Sequence, residues 1–227
     1  MTHIAQYLEE VRTTIAAACR KVGRDPAEVR LVAVSKTVDP ERVRQATAAG
    51  QALFGENYLQ EAKDKIALLG RQVGWHLVGH LQTKKAKPAV ELFDLIHAVD
   101  RLKLARALDA AAAALNKVQD ILIQVNQAGE DTKSGVAPDA AADLLKEVAQ
   151  LPNLRVMGLM TMPPWFADPE AARPYFKALR ELRNRLRDES GLPLTELSMG
   201  MSGDFAVAIE EGATLVRVGT AIFGHRR

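Results

Sequence analysis

The chain has 227 residues, with 30 Lys and Arg set against 28 Asp and Glu, a net charge of +2. So even a balance argues against a nucleic-acid or membrane-surface binder, and 48% hydrophobic with 26% charged residues is the make-up of a globular chain able to bury one large core, read as a single domain over 1–227. Cys19 is the only cysteine, which excludes an intrachain disulfide and places the chain in a reducing compartment, the cytoplasm.

Apolar residues at Ile4, Tyr7, Leu8, Val11 and Ile15 predict an amphipathic helix over 4–22, with Cys19 a small residue of its face. Glu9, Glu10, Arg12, Arg20 and Lys21 interrupt that segment, so it is neither a signal peptide nor a membrane span. From there short apolar runs alternate with helix-like segments. Strands are predicted at 31–35, 52–56, 75–79, 93–99, 119–125, 154–160, 194–199 and 214–219. Helices are predicted at 40–49, 57–69, 84–91, 101–115, 138–149, 168–188 and 203–211. Asp39-Pro40 and Pro138-Asp139 are helix starts, and Gly50, Gly70, Gly191 and Gly212 stand where helices should stop. Eight strands alternating with helices predict a (β/α)8 barrel of the TIM type, with an open doubly wound sheet as the alternative. The last outer helix of such a barrel is missing after strand eight, and the helix at 4–22 is expected to fill its place.

The first strand, Leu31-Val32-Ala33-Val34-Ser35, runs directly into Lys36. An amine at the end of a buried strand snorkels, pairs with an anion, or serves as a neutral nucleophile able to form a Schiff base with an aldehyde or ketone. Barrel chemistry gathers at the C-terminal ends of the strands, and phosphate often binds after strands seven and eight. Those ends read Ser198-Met199-Gly200-Met201-Ser202-Gly203 and Val218-Gly219-Thr220-Ala221: small residues, hydroxyls and backbone N–H groups beside helix starts. For one loop, tight turns would explain the glycines; for two adjacent loops we favour an anion site. Strand alternation carries the argument inward. If Lys36 points into the barrel, so do Val34 and Val32, and on strand eight Leu215 and Arg217. Arg217 is then either half of a buried ion pair or a fixed donor to a ligand. An aldehyde-reactive lysine, a phosphate cup and an interior arginine together describe a pyridoxal 5′-phosphate site.

At these residues the chain resembles the pyridoxal phosphate homeostasis protein family. The matching stretches are Val32-Ala33-Val34-Ser35-Lys36-Thr37, Phe54-Gly55-Glu56-Asn57-Tyr58, Trp75 to Gln82, Gly158-Leu159-Met160, Leu197 to Ser202 and Val216 to Gly224. The resemblance implies a fold like the N-terminal barrel of alanine racemase, without its second domain. It implies that Lys36 holds the cofactor as a Schiff base and that Arg217 faces the pyridine nitrogen. Ser202, with backbone groups of Met201, Gly219 and Thr220, would cradle the phosphate, with Ser198 close by and Asn57 near the ring hydroxyl. His76 is a weaker carry-over, since a histidine inside a barrel is more often a satisfied core residue. Lys84, Gly203 and Val38 depart from the pattern; Gly203 leaves Asp204 to help start the following helix.

The arginine bears on mechanism. A guanidinium only donates, so opposite a pyridine nitrogen it disfavours protonation and makes the ring a poorer electron sink. Racemisation also needs two bases, and Lys36, His76, Tyr58 and Lys133 include no convincing second one. The resemblance implies a non-enzymatic protein that binds, buffers and delivers the cofactor, with apo forms of pyridoxal-phosphate enzymes as recipients. The alternatives are a weak amino-acid racemase or lyase, and a Schiff-base aldolase acting on a phosphosugar. The basic run Arg180, Arg183, Arg185, Arg187 and the cluster Lys84, Lys85, Lys87 read as solvated faces in preference to docking sites. The segment from Asn126 to Val136 is expected to overhang the active face and gate release. The scattered histidines offer no zinc spacing.

Overall fold

The computed structural model describes residues 3–130 and 134–224. Eight parallel strands close into a barrel in sequence order: β1 (Arg30–Val34), β2 (Leu53–Glu56), β3 (Gly74–Leu77), β4 (Leu95–Val99), β5 (Gln119–Gln124), β6 (Leu154–Met160), β7 (Glu196–Ser198) and β8 (Leu215–Val218). β8 pairs with β1 from Arg30↔Leu215 to Ala33↔Val218, which brings Arg217 beside Val32. The doubly wound alternative is thereby excluded. Each predicted strand is present, most of them shortened by one or two residues at the ends.

The outer ring consists of α1 (His3–Lys21), α2 (Pro40–Ala48), α3 (Leu59–Leu69), α4 (Ala86–Leu92), α5 (Leu102–Ala114), α6 (Ala141–Val148), α7 (Arg173–Ser190), α8 (Phe205–Glu210) and the single-turn α9 (Thr220–Phe223). Asp39 caps α2 by accepting the Glu41 N–H, with Pro40 at the first helical position. Gly70 and Gly191 close α3 and α7 at φ of 74° and 70°. Pro138-Asp139 does not open α6, which begins at Ala141; the backbone needs a further turn before Leu144, Leu145 and Val148 can face the sheet. Likewise 169–172 forms a short 3-10 turn before α7.

α1 packs against α8, α9 and α2, so it occupies the place of the missing outer helix. Its buried stripe is Ile4, Leu8, Val11, Ile15, Ala18 and Cys19. Alternation divides the buried residues into two sets. Ala33, Trp75, Leu77, Ile121, Ile123, Leu159, Leu197, Val216 and Val218 face the helices. Val32, Val34, Val78, Leu95, Leu122, Met160 and Leu215 fill the barrel. The N-terminal mouth is tied by Arg30–Glu196 at 2.6 Å and Arg155–Asp120 at 2.6 Å. On α7 the arginines are solvated or spent locally: Arg180 pairs with Glu211 at 2.8 Å, and Arg183 donates to the Leu194 carbonyl at 3.0 Å. Helix pairing there runs Lys177–Glu181 and Arg185–Glu189. No helix among the described residues is long and apolar enough to cross a membrane.

Candidate functional site

At the C-terminal end of the strands lies a cavity of about 390 Å³, within the usual size of small-ligand sites. Lys36, Asn57, Met201, Ser202, Arg217, Gly219 and Thr220 all line it. It is bounded further by Val34, Val78, Gly79, His80, Met162, Trp165 and Gly203. The residues singled out in the loops after β1, β2, β7 and β8 are thus brought together around one space. The chain does this by strand order: β1 lies between β2 and β8, and β7 lies beside β8.

Asn57 is held by a close approach. A Cβ on Gly79 would stand 2.7 Å from Asn57 Cα and 2.8 Å from its carbonyl oxygen, so only glycine lets the loop after β3 lie against the loop after β2. Gly200 has φ of 89° and a virtual Cβ 2.6 Å from Ala208 Cβ, which lets the loop after β7 turn tightly onto α8. On that loop Ser202 Oγ accepts from Gly219 N–H at 3.2 Å and from Ala221 N–H at 3.4 Å. An oxygen acceptor therefore already sits at the start of α9, where the backbone donors point. The Met201 N–H is spent differently: it donates to Asp204 Oδ1 at 2.6 Å. Asp204 stands at the N-cap of α8 without capping it through its side chain, because its carboxyl folds back to Met201. Burial raises the Asp204 carboxyl above the ordinary carboxylate range, with the Met201 N–H and Arg217 pulling the other way.

Arg217 is 4% exposed. Its Nη1 donates to Ser198 Oγ at 2.6 Å and its Nη2 to the Thr161 carbonyl at 2.9 Å. Burial lowers it to about 10, so it is cationic at neutral pH. Two sequence candidates, Ser198 and His76, do not line the cavity. They lie beneath Arg217 in a hydrogen-bonded row, in which His97 Nδ1 is 2.8 Å from Ser198 Oγ and His97 Nε2 is 2.9 Å from His76 Nδ1. Burial drives both histidines toward the neutral form: His76 falls to about 3, with Arg30 adding to the effect, and His97 falls well below the ordinary value, with His76, Arg217 and Arg30 adding.

Sequence reading missed His97, the Thr161 carbonyl, His80 and Trp165. For His97 the signal was available: in Leu95-Ile96-His97-Ala98-Val99, alternation sets His97 on the inward face with Leu95. His80 lines the cavity and its Nδ1 is 2.9 Å from Ser134 Oγ. Ser134 also accepts from Gln124 Nε2 through its carbonyl at 2.7 Å, and Val125 bridges to Val136, so both bases of the expected overhanging segment are tied down. Residues 131–133, and with them Lys133, lie outside the described residues.

The donor set fits a phosphorylated aldehyde: an amine, hydroxyls and backbone N–H groups, and a buried guanidinium, all lining one cavity. Comparison with known proteins agrees. The family model described as alanine racemase, N-terminal domain, matches residues 8–227. A pyridoxal phosphate homeostasis protein of Aquifex aeolicus is 47% identical over 223 residues, 98% of this chain and 98% of that protein. One of Pseudomonas aeruginosa is 47% identical over 227 residues, 100% of this chain and 97% of that protein. The solved structure of PipY from Synechococcus elongatus, with PLP bound, matches with a TM-score of 0.87 and 38% identity, covering 97% of this chain and 100% of that one. The chain belongs to the pyridoxal phosphate homeostasis protein family, built on the alanine racemase N-terminal-domain fold.

Proposed function

We propose that this chain binds pyridoxal 5′-phosphate through a Schiff base to Lys36 and serves intracellular homeostasis of that cofactor, buffering and delivering it without turning over a substrate of its own. The observation that carries this is the convergence of Lys36, Arg217 and the Ser202–Gly219–Thr220 cluster on one cavity. When bound, the cofactor supplies an electrophilic aldehyde on a phosphorylated pyridine. Lys36 contributes the amine. Ser202 and the backbone of Gly219 and Thr220 receive the phosphate, with Ser202 Oγ giving up its present contacts to Gly219 and Ala221. The Met201 N–H joins them only if Asp204 releases it. Asn57, on the loop after β2, is available to the ring hydroxyl, and Arg217 presents a positive, donating group on the buried side of the cavity. Recipients are proposed to be apo enzymes that use the same cofactor.

The carrier reading is supported by what surrounds Lys36. Arg217 can donate but cannot accept a proton, which favours an unprotonated ring nitrogen. His76 is buried in the row below the cavity, and Tyr58 is half exposed outside it. His80 is the remaining base on the wall among the described residues, and it is engaged with Ser134. The test is the visible absorption of the purified protein after pyridoxal phosphate is added, in wild type and Lys36→Ala. A shifted Schiff-base band in wild type, trapped by borohydride on Lys36 and absent from Lys36→Ala, is the expected result; no band in wild type would refute it. Loss of an amino-acid α-proton to solvent at a useful rate would convert the carrier into a racemase or lyase.

A further inference from the structure

Between β2 and α3, on the helix side of the sheet, lies a charged cluster that the cavity does not use. Lys65 is 3% exposed and Glu56 0%. Lys65 Nζ donates to Glu56 Oε1 at 2.7 Å, to the Ser35 carbonyl at 2.5 Å and to Glu61 Oε2 at 3.5 Å. Ser35 Oγ donates to Glu56 Oε1 at 2.6 Å. A buried ion pair of this kind seldom adds net stability over an apolar pair of the same volume. Glu56 Oε2 is buried without a hydrogen-bond partner, a further cost. The cluster is expensive where it stands, and what it touches is the turn that carries Lys36.

That turn is unusual. Val38 N–H donates to the Ser35 carbonyl at 3.0 Å, so Ser35 to Val38 form a closed four-residue turn with Lys36 and Thr37 at its centre. Thr37 has φ of 57°. A β-branched residue is strained in the left-handed region and persists there only when its surroundings over-determine it. The surroundings are specific: Thr37 N–H donates to Glu61 Oε2 at 2.7 Å, and Thr37 Oγ1 to the Lys36 carbonyl at 2.7 Å. The residue before Lys36 is gripped by Lys65 and Glu56, and the residue after it by Glu61.

We propose that Glu56, Lys65 and Glu61 are positioning residues for Lys36: they hold a strained turn whose purpose is to aim the Lys36 amine into the cavity. This rests on the reading of Lys36 as the cofactor's amine, and it assigns to α3 the setting of its direction. Loosening the turn should slow bond formation at Lys36 while leaving the phosphate and ring contacts, which come from other loops, intact.

Glu61 is the clean probe, since its side chain is 33% exposed and its removal leaves no buried charge unpaired. In Glu61→Ala the rate of borohydride-trappable attachment of pyridoxal phosphate to Lys36 should fall about tenfold or more, part of the roughly hundredfold that an ångström-scale misplacement of a reacting group can cost. Glu61→Gln, which keeps an acceptor for Thr37 N–H, should restore most of the rate. Affinity for pyridoxamine 5′-phosphate, which has no aldehyde, should be unchanged in both variants. The paired variant Glu56→Gln/Lys65→Met, neutral and similar in volume, should repeat the loss; if it does not fold, Glu61→Ala alone decides. Equal trapping rates in wild type and Glu61→Ala would overturn the proposal, and so would a parallel loss of pyridoxamine phosphate affinity. Competitive acetylation of Lys36 without cofactor, read by peptide mass spectrometry, separates the two ideas. If wild type trapped nothing, the cofactor reading would fail by itself. In that case acetylation decides the frame: a changed rate at Lys36 in Glu61→Ala would uphold it, and a rate equal to wild type would overturn it.

Discussion

Arg217 Nη1 donates to Ser198 Oγ at 2.6 Å, and this bond sets the direction of the row behind it. A guanidinium has no acceptor, so Ser198 must receive from Arg217 and is left with one proton to give. Given to His97 Nδ1, that proton makes His97 Nε2 the donor to His76 Nδ1, and His76 then carries its own proton on Nε2. In the opposite sense Ser198 would accept twice within the row, leaving its hydroxyl proton without a partner there. The expected result is Nε2–H tautomers for both histidines in nitrogen-15 correlation spectra. Ser198→Ala should cost about 1–3 kcal/mol, the cost of stranding buried donors and acceptors. An Nδ1–H signal for His97 would show that the row runs the other way.

The same row predicts a pH dependence. Both histidines are held neutral in the fold, His76 at about 3. A lowered folded value means the unfolded chain binds protons first. The stability concerned is therefore complete above the ordinary histidine value of about 6.5 and is lost as pH falls from there toward 3. Glu56 and Asp204, raised by burial, act with the opposite sign and soften the loss at the acid end. Urea unfolding of wild type and His97→Gln between pH 7 and pH 4 should differ in slope by about 1.4 kcal/mol per pH unit. Parallel curves would show that His97 takes up its proton without unfolding.

Gly79→Ala should displace Asn57, since the added methyl would meet Asn57 backbone at 2.7 Å. We expect pyridoxamine phosphate affinity to fall about tenfold, the equivalent of about 1.4 kcal/mol. Binding equal to wild type by isothermal titration would mean that the two loops move together and that Asn57 keeps its place on the wall.

Trp165 is 84% exposed on the cavity rim, whereas Trp75 is fully buried in the sheet. Acrylamide should therefore quench a single accessible tryptophan, and Trp165→Phe should abolish that component. Filling the cavity with pyridoxamine phosphate should reduce the accessible fraction, because a rim residue packs against whatever fills the space. Unchanged quenching on binding would place the ligand elsewhere.

The barrel was legible because its evidence is periodic. Strand alternation put Arg217 and Lys36 on the inner face, and closure put their strands side by side. His97 was missed because it stands in the middle of Leu-Ile-His-Ala-Val, a run that reads as core, and only its parity gave it away. Lys65 was out of reach for another reason: a lysine one turn after Glu61 on a helix reads as a solvent-exposed pair. Its burial depends on α3 lying over Ser35 and Glu56, a contact between segments 30 and 9 residues apart. The left-handed Thr37 had no signal, since a β-branched residue is the last choice for that conformation. The helix start at Ala141 differed from the proline signal because packing against the sheet, and not the local dipeptide, decides where the first buried turn falls.

α1 packs on α2 as well, but its main cover comes from α8 and α9, and Lys21 meets Glu210 across 189 residues of chain. At a translation rate of roughly 5–20 residues per second, the apolar stripe of α1 waits on the order of ten seconds or more for its cover. β1, with the lysine at its end, waits equally long for β8. While α8 and α9 are still unmade, α1 thus keeps much of its apolar stripe uncovered, and the ribosome-bound chain is the form in which that stripe is most exposed to chaperones and to aggregation.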